Sequence, residues 1–362
     1  MDQKQEKRFW LGFSLIKGLG LKNIIRLREY FGSLDKAWQA NQAEYHGLAW
    51  PAGLVSQVYD AKKSINIGQM EYLLSRHNIR YVVPSEADYP ELLKEIYCPP
   101  AVLYYQGRLP DSCHLLLSVV GTRKTSSYGR HITESLLAPA VRQGINIVSG
   151  LALGIDTLAH QTCLDNDGQT YAVMGCGLDL VYPRSNLRLA KKITNNGCLL
   201  SEYPPGTPPY KQHFPARNRI IAGLSRATLI VEGGYKSGSM ITAKFALESN
   251  RDVLAVPGNI TNINSQGTNL LLKKGAHLIT EYEDILQLFN LDPAGNKPKK
   301  IDTSTISAEE KQVLEIISAK QLHVDEIIQA CTLNTSVINS ILVHLEIKGL
   351  IKNIGEDNYI RT

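Results

Sequence analysis

The 362-residue sequence contains no run of about eighteen apolar residues, which argues against a membrane-spanning helix and a membrane partner. The opening stretch, MDQKQEKRFW, is charged and lacks the apolar core of an export signal, so a cytoplasmic chain is expected. Cysteine is scarce. The six present, at 98, 113, 163, 176, 198 and 331, form no C-x-x-C pair, which excludes a zinc ribbon or a disulfide framework and leaves packing as their expected use. With 43% apolar and 20% charged residues, the composition is that of an ordinary folded protein rather than a disordered one. Nucleotide fingerprints are missing as well. Gly150-x-x-x-Gly154 and Gly175-x-Gly177 fall short of G-x-G-x-x-G, so no NAD is expected. Gly233 and Gly238 have the separation of a P-loop, but Ser239 stands where its lysine must be, so ATP hydrolysis is not expected. No cofactor or metal is called for.

Basic charge is what the chain has, and it is unevenly placed. Residues 305–362 hold five Lys or Arg against eight Asp or Glu, a net −3, which leaves +8 of the overall +5 to residues 1–304. A polyanion is therefore a plausible partner for the front and middle of the chain. The cations concentrate beside one strand-to-helix turn. Ala227 to Val231 is a short β-branched run that suits a buried parallel strand, and Met240, Ala243, Ala246 and Leu247 recur at helical spacing behind it. Ser237-Gly238-Ser239 falls on the turn between them, where free amides and the helix dipole favour an anion. Upstream lie Lys211, His213, Arg217, Arg219 and Arg226, interleaved with Tyr210 and Phe214, and Lys244 follows Thr242 downstream. Cations with aromatic rings suit single-stranded nucleic acid, the charges following phosphates and a ring stacking on a base of any identity. Arg217 and Arg219 could equally be structural ion-pair partners, and Phe214 could be core.

Taken in order, residues 1–82 read as short helices punctuated by Gly18 and Gly20, a pattern shared by helix-hairpin-helix and sterile-alpha-motif modules. Residues 83–292 alternate strands with helices. Leu115 to Val120 runs into Gly121-Thr122-Arg123, the Asn146 strand into Gly150, Thr170 to Val173 into Gly175, and the Ala227 strand into Gly233. Such alternation implies a parallel sheet with right-handed crossovers, and ligands of these sheets bind beyond the carboxyl ends of the strands. All four glycine loops should share that edge. A polar linker, 293–304, precedes residues 305–362, which read as three helices and a two-stranded wing. The expected recognition helix, Thr335 to Lys348, offers Ser336, Asn339, Ser340 and His344 but no cation on that face, which favours protein contacts over duplex reading. The fold expected is thus α/β, an extended Rossmann-like parallel sheet with a small N-terminal all-α domain and a C-terminal winged-helix-like domain.

The order of motifs resembles the DprA/Smf family of DNA-processing proteins. It runs from Tyr89-Pro90 and Gly121-Thr122-Arg123 through Ser149-Gly150-Leu151-Ala152-x-Gly154-Ile155-Asp156-x-x-Ala159-His160 and Ser201-Glu202-Tyr203-Pro204. It continues with Phe214-Pro215-x-Arg217-Asn218-Arg219-Ile220-Ile221, Ser237-Gly238-Ser239 and Pro257-Gly258. The resemblance implies a homodimer that binds and protects single-stranded DNA, loads RecA and displaces single-strand-binding protein in natural transformation, without catalysis. It implies Arg123 and the Ser237-Gly238-Ser239 turn as phosphate contacts, with Lys211 as a cation and Phe214 as a base-stacking ring; Arg217, Asn218, Thr242 and Lys244 complete the expected nucleic-acid contacts. Leu153 departs from the family, where arginine is common. The alternative is a nucleotide hydrolase of the lysine-decarboxylase-like type on the same sheet, but Glu232-Gly233-Gly234-Tyr235-Lys236-Ser237-Gly238-Ser239 does not put its glutamate beside the phosphate turn as that chemistry requires.

Overall fold

The computed structural model describes residues 3–111, 113–291, 307–317, 322–331, 333–348, 350–353, 355 and 357–361. The expected linker, 293–304, lies outside them. Apolar residues at three-to-four spacing build the opening helices α1 (Gln3–Ser14), α2 (Leu21–Phe31), α3 (Leu34–Gln39), α4 (Ala52–Ser64) and α5 (Ile67–Arg76). Then come β1 (Arg80–Val82), α6 (Glu91–Lys94) and β2 (Leu103–Gly107). Alternation follows with β3 (Leu115–Val120), α7 (Ser127–Arg142), β4 (Ile145–Ser149), α8 (Ile155–Asp165), β5 (Thr170–Val173), α9 (Leu187–Asn195) and β6 (Gly197–Ser201). It closes with α10 (His213–Leu224), β7 (Ala227–Ile230), α11 (Gly238–Glu248), β8 (Asp252–Ala255), α12 (Gln266–Lys273), β9 (His277–Leu278) and α13 (Tyr282–Leu288).

Among the described residues these strands form one sheet in the order β1-β2-β6-β5-β4-β3-β7-β8-β9. From β6 to β9 neighbours are parallel, while β2 pairs antiparallel with both β6 and β1. The short β-branched runs are central strands buried on both faces. Leu117, Val119 and Leu229 face one hydrophobic cluster with α7 and α8, and Val148, Tyr171 and Ile230 face the other with α10 and α11. Each such side chain taken fully from water stabilises the fold by about 1.5–3 kcal/mol.

The sheet begins earlier than expected. Arg80 pairs with Tyr105, so β1 belongs to the sheet although it precedes the anticipated boundary at 82/83. The helical segment also packs onto the sheet layer: Trp10, Phe13 and Leu27 share a cluster with Ala172, Met174, Leu189 and Ile193, and the Trp10 indole donates to the Ala101 carbonyl. Of the cysteines, 163, 176 and 198 are buried as expected, but Cys98 and Cys113 are exposed and serve no packing role.

The C-terminal region is a winged helix, with α14 (Ala308–Ile316), β10 (Leu322–His323), α15 (Val324–Ala330), α16 (Thr335–Ile347), β11 (Ile351–Asn353) and β12 (Asn358–Arg361). Val313, Ile327, Leu342 and Leu345 form its core. Among the described residues, no single helix is long and apolar enough to cross a membrane.

Candidate nucleic-acid interface

The chain builds β3, moves outward through β4, β5 and β6, and returns under the sheet along α10 to place β7 on the other side of β3. The loops leaving β3 and β7 therefore diverge, and a crevice opens beyond their carboxyl ends. There a cleft of about 630 Å3 is lined by Gly121, Thr122 and Arg123 after β3, by Phe214 and Asn218 on α10, and by the Ser237-Gly238-Ser239 turn. Because each helix runs back against the strand before it, α7, α8 and α11 all start at this edge and turn their positive ends towards it. Ser237 is the N-cap of α11: its hydroxyl accepts from the Ser239 amide (3.3 Å) and lies 2.8 Å from the Ser239 hydroxyl. A Cβ at Gly238 would meet nothing within 4 Å, so the turn is open on its outer side.

The cations sort by exposure. Arg123 and Lys211 are exposed and line the cleft. Among the described residues neither has an ion-pair partner. Between them the half-buried Phe214 ring belongs to none of the hydrophobic clusters. Its centroid lies 5.8 Å from the Arg123 guanidinium carbon and 5.9 Å from that of Arg217. One ring edge rests on Gly175, where an added Cβ would approach it to 3.0 Å. Asn218 donates to the Gly238 carbonyl (3.2 Å), tying α10 to the α11 turn, and the buried Thr242 hydroxyl reaches the same carbonyl at 3.4 Å.

Two expected contacts are engaged by the protein itself, Arg217 inside the cleft lining and Lys244 outside it. Arg217 is 4% exposed, and its Nη1 donates to the carbonyls of Gly150 (2.7 Å) and Val173, clamping the ends of β4 and β5 together. A side chain on Gly150 would collide with that guanidinium at 2.5 Å, so the glycine loop and the arginine are one structural unit. Burial pushes the Arg217 guanidinium below its ordinary pKa, with the nearby Asp156 opposing. Asp156 in turn is raised by burial and accepts from the Gly150 and Ala152 amides. Arg217 thus lines the cleft with its Nη1 committed to two strand-end carbonyls. Lys244 projects from the outer face of α11, pairs with Glu248 at 3.5 Å and does not line the cleft. Arg219 is also structural, held 2.5 Å from Glu202. Leu153 is 48% exposed.

Sequence reasoning passed over Tyr182. It is 45% exposed, lines the cleft, and its ring lies 5.4 Å from Phe214 at 43°. The only signal for it was a tyrosine before proline a few residues beyond the Gly175 loop. The buried Glu232 accepts from the Ser126 amide (3.1 Å) and hydroxyl (2.5 Å), fixing the N-cap of α7. Among the described residues, no group of three or more His, Cys, Asp or Glu is placed to hold a metal.

The fold and cleft define a Rossmann-like protein whose sheet edge gathers helix N-termini and a ring flanked by guanidiniums. Residues 80–290 match the sequence model of DNA recombination-mediator protein A, and residues 297–354 match that of the DprA winged helix domain. The chain belongs to the DNA recombination-mediator protein A family. It is 35% identical to Protein Smf of Synechocystis sp. over 96% of each chain. Its identity with DNA processing protein DprA of Streptococcus pneumoniae is 46%, over 56% of this chain and 71% of that one. The X-ray structure of the pneumococcal protein superposes with a TM-score of 0.68 at 36% identity, covering 79% of this chain and 98% of that one. A Helicobacter pylori DprA structure, concerned with the single-stranded DNA binding mode of that protein, gives 0.52 at 31% identity, covering 59% and 97%.

Proposed function

We propose that the cleft binds single-stranded DNA, phosphates lying against Arg123, Lys211 and the Ser237-Gly238-Ser239 turn while a base stacks on Phe214. The observation that carries this is the pairing of two exposed cations, without an ion-pair partner among the described residues, with a half-buried ring outside the core, over converging helix N-termini. None of these groups is placed to read base edges, so binding tolerates any sequence. Titration of a fluorescent oligonucleotide at several salt concentrations tests it, each neutralised phosphate adding about −0.7 to the slope of log K against log salt. Arg123→Ala and Lys211→Ala each weaken binding and flatten that slope while leaving the melting temperature unchanged. A flat slope in the unaltered protein would remove the electrostatic reading.

Family membership supports the wider role: protecting incoming strands, displacing single-strand-binding protein and loading RecA in natural transformation. A second copy of the chain completes the assembly, and Ile260 and Ile263, 83% and 71% exposed after β8, supply apolar surface for it. The role is binding rather than catalysis. Glu232 and Asp156, the carboxylates beside the cleft, are both occupied by backbone amides. The winged helix makes protein contacts, since α16 exposes Ser336, Asn339, Ser340 and His344.

A further inference from the structure

The stretch from Leu180 to Ser201 contains Arg184, Arg188, Lys191 and Lys192 and no Asp or Glu. It starts at the cleft. Tyr182 packs beside Phe214, and Asn186 pins the following turn by donating to the Leu151 carbonyl (2.9 Å) and the Thr157 hydroxyl (2.8 Å). Helix α9 then runs away from the cleft down the flank of the sheet. Its inner face, Leu189, Ala190 and Ile193, is buried against β5 and β6. Arg184, Arg188, Lys191 and Lys192 are all exposed, and among the described residues none has an ion-pair partner. Spacings of three and four put Lys191 and Lys192 beside Arg188 on α9, Arg184 lies in the turn just before the helix, and the nine residues from 184 to 192 measure about 12 Å at helical rise.

Ordinary surface design does not account for this row. Arg184 and Arg188 sit at the positive end of α9, where the helix dipole opposes a cation, and the first turn carries no acidic residue to compensate. Four neighbouring like charges with no counter-charge repel one another unless an anion is supplied from outside. A polyanion already at the cleft supplies it.

We infer that single-stranded DNA leaves the cleft across Tyr182 and continues along the basic outer face of α9, which forms a second segment of the binding site. This rests on the proposed strand binding at the cleft and extends it. The ring of Tyr182 gives the first base beyond Phe214 a surface to lie on, and the four cations follow the phosphates after it. The occupant is a flexible strand rather than a duplex, because the track begins in a cleft narrowed by two aromatic rings.

The test compares the full chain with the variant Arg184→Ala, Arg188→Ala, Lys191→Ala, Lys192→Ala on two oligothymidylates, one of about 6 nucleotides that the cleft alone accommodates and one of about 30. The variant is expected to bind the short strand as the unaltered protein does. It should bind the long one about tenfold or more weakly, with a salt slope shallower by about 2 if three phosphate contacts are lost. Replacing the four positions by the opposite cation, Arg by Lys and Lys by Arg, should restore long-strand binding. Unchanged affinity and slope for the long strand would overturn the inference while leaving the cleft intact. Equal losses on both strands with a lowered melting temperature would also overturn it, showing a structural role. If the unaltered protein binds neither strand, the cleft reading itself fails and takes this one with it.

Discussion

Phe214→Ala separates a stacking ring from a packing one. The ring lies outside every hydrophobic cluster and contacts Tyr182 and the Gly175 backbone, with guanidiniums at 5.8 and 5.9 Å. Stacking of one base on such a ring contributes about 1–3 kcal/mol, so truncation should raise Kd roughly 5-fold to 150-fold. A fully buried phenylalanine loses about 3–5 kcal/mol of folding energy on the same truncation, whereas this half-exposed one should cost well under that. Phe214→Leu sharpens the contrast. It keeps apolar bulk and loses the flat face, so it should melt like the unaltered protein yet bind like the alanine variant. Phe214→Trp should retain binding. Oligonucleotide titration and thermal melting of the three variants are the assay. A stable Phe214→Ala protein with unchanged affinity would refute the stacking role, and a large drop in melting temperature shared by Leu and Ala would show that the ring is core.

Arg217→Ala should destabilise the fold by about 3–5 kcal/mol, because two strand-end carbonyls lose their donor and Asp156 is left buried without its neighbouring cation; full stability with lost DNA affinity would instead restore Arg217 as a direct contact. Removing residues 305–362 should leave strand affinity nearly intact, since that region carries net −3 and α16 exposes no cation among the residues expected to read DNA; a large loss at unchanged oligomeric state would place DNA on the winged helix. Burial lowers the pKa of His160 from 6.5 to about 3, with Arg217 adding to the shift. The folded state therefore holds the neutral imidazole, whose contribution is complete above pH 6.5 and is lost as pH falls towards 3, by up to about 1.4 kcal/mol per pH unit. Urea unfolding at pH 7 and pH 5 should show about 2 kcal/mol of such loss, reduced in His160→Asn; an equally steep decline in that variant would remove the assignment.

The alternation of apolar runs with helical stretches and glycine loops was enough to specify the parallel centre of the sheet and the edge its glycine loops share, because strand and crossover geometry leave few topologies. The same reasoning brought Arg123, Lys211 and Phe214 to one place. It did not sort the arginines. Arg217, Arg219 and Lys211 lie within nine residues and share a charge, yet one is buried, one ion-paired and one exposed without an ion pair among the described residues. Helical period carried part of the answer: Arg217 precedes Ile220, Ile221 and Leu224, all buried, and so falls on the inward stripe of α10, while Lys244 falls outside the stripe of Thr242, Ala243 and Ala246. What period cannot supply is the partner. That the inward guanidinium meets the carbonyls of Gly150 and Val173 depends on α10 crossing beneath β4 and β5, a long-range arrangement invisible to local pattern. Tyr182 reaches Phe214 across 32 residues of chain, and the helical N-terminal segment joins the sheet layer through Trp10 and Ala101 across 91. Sequence by itself determined the four glycine-ended strands at the centre of the nine-stranded sheet and the kinds of residue available at their ends. Tertiary packing alone decided which cations are spent on buried carbonyls and which remain in water, because that choice depends on what the crossover helix meets when it docks.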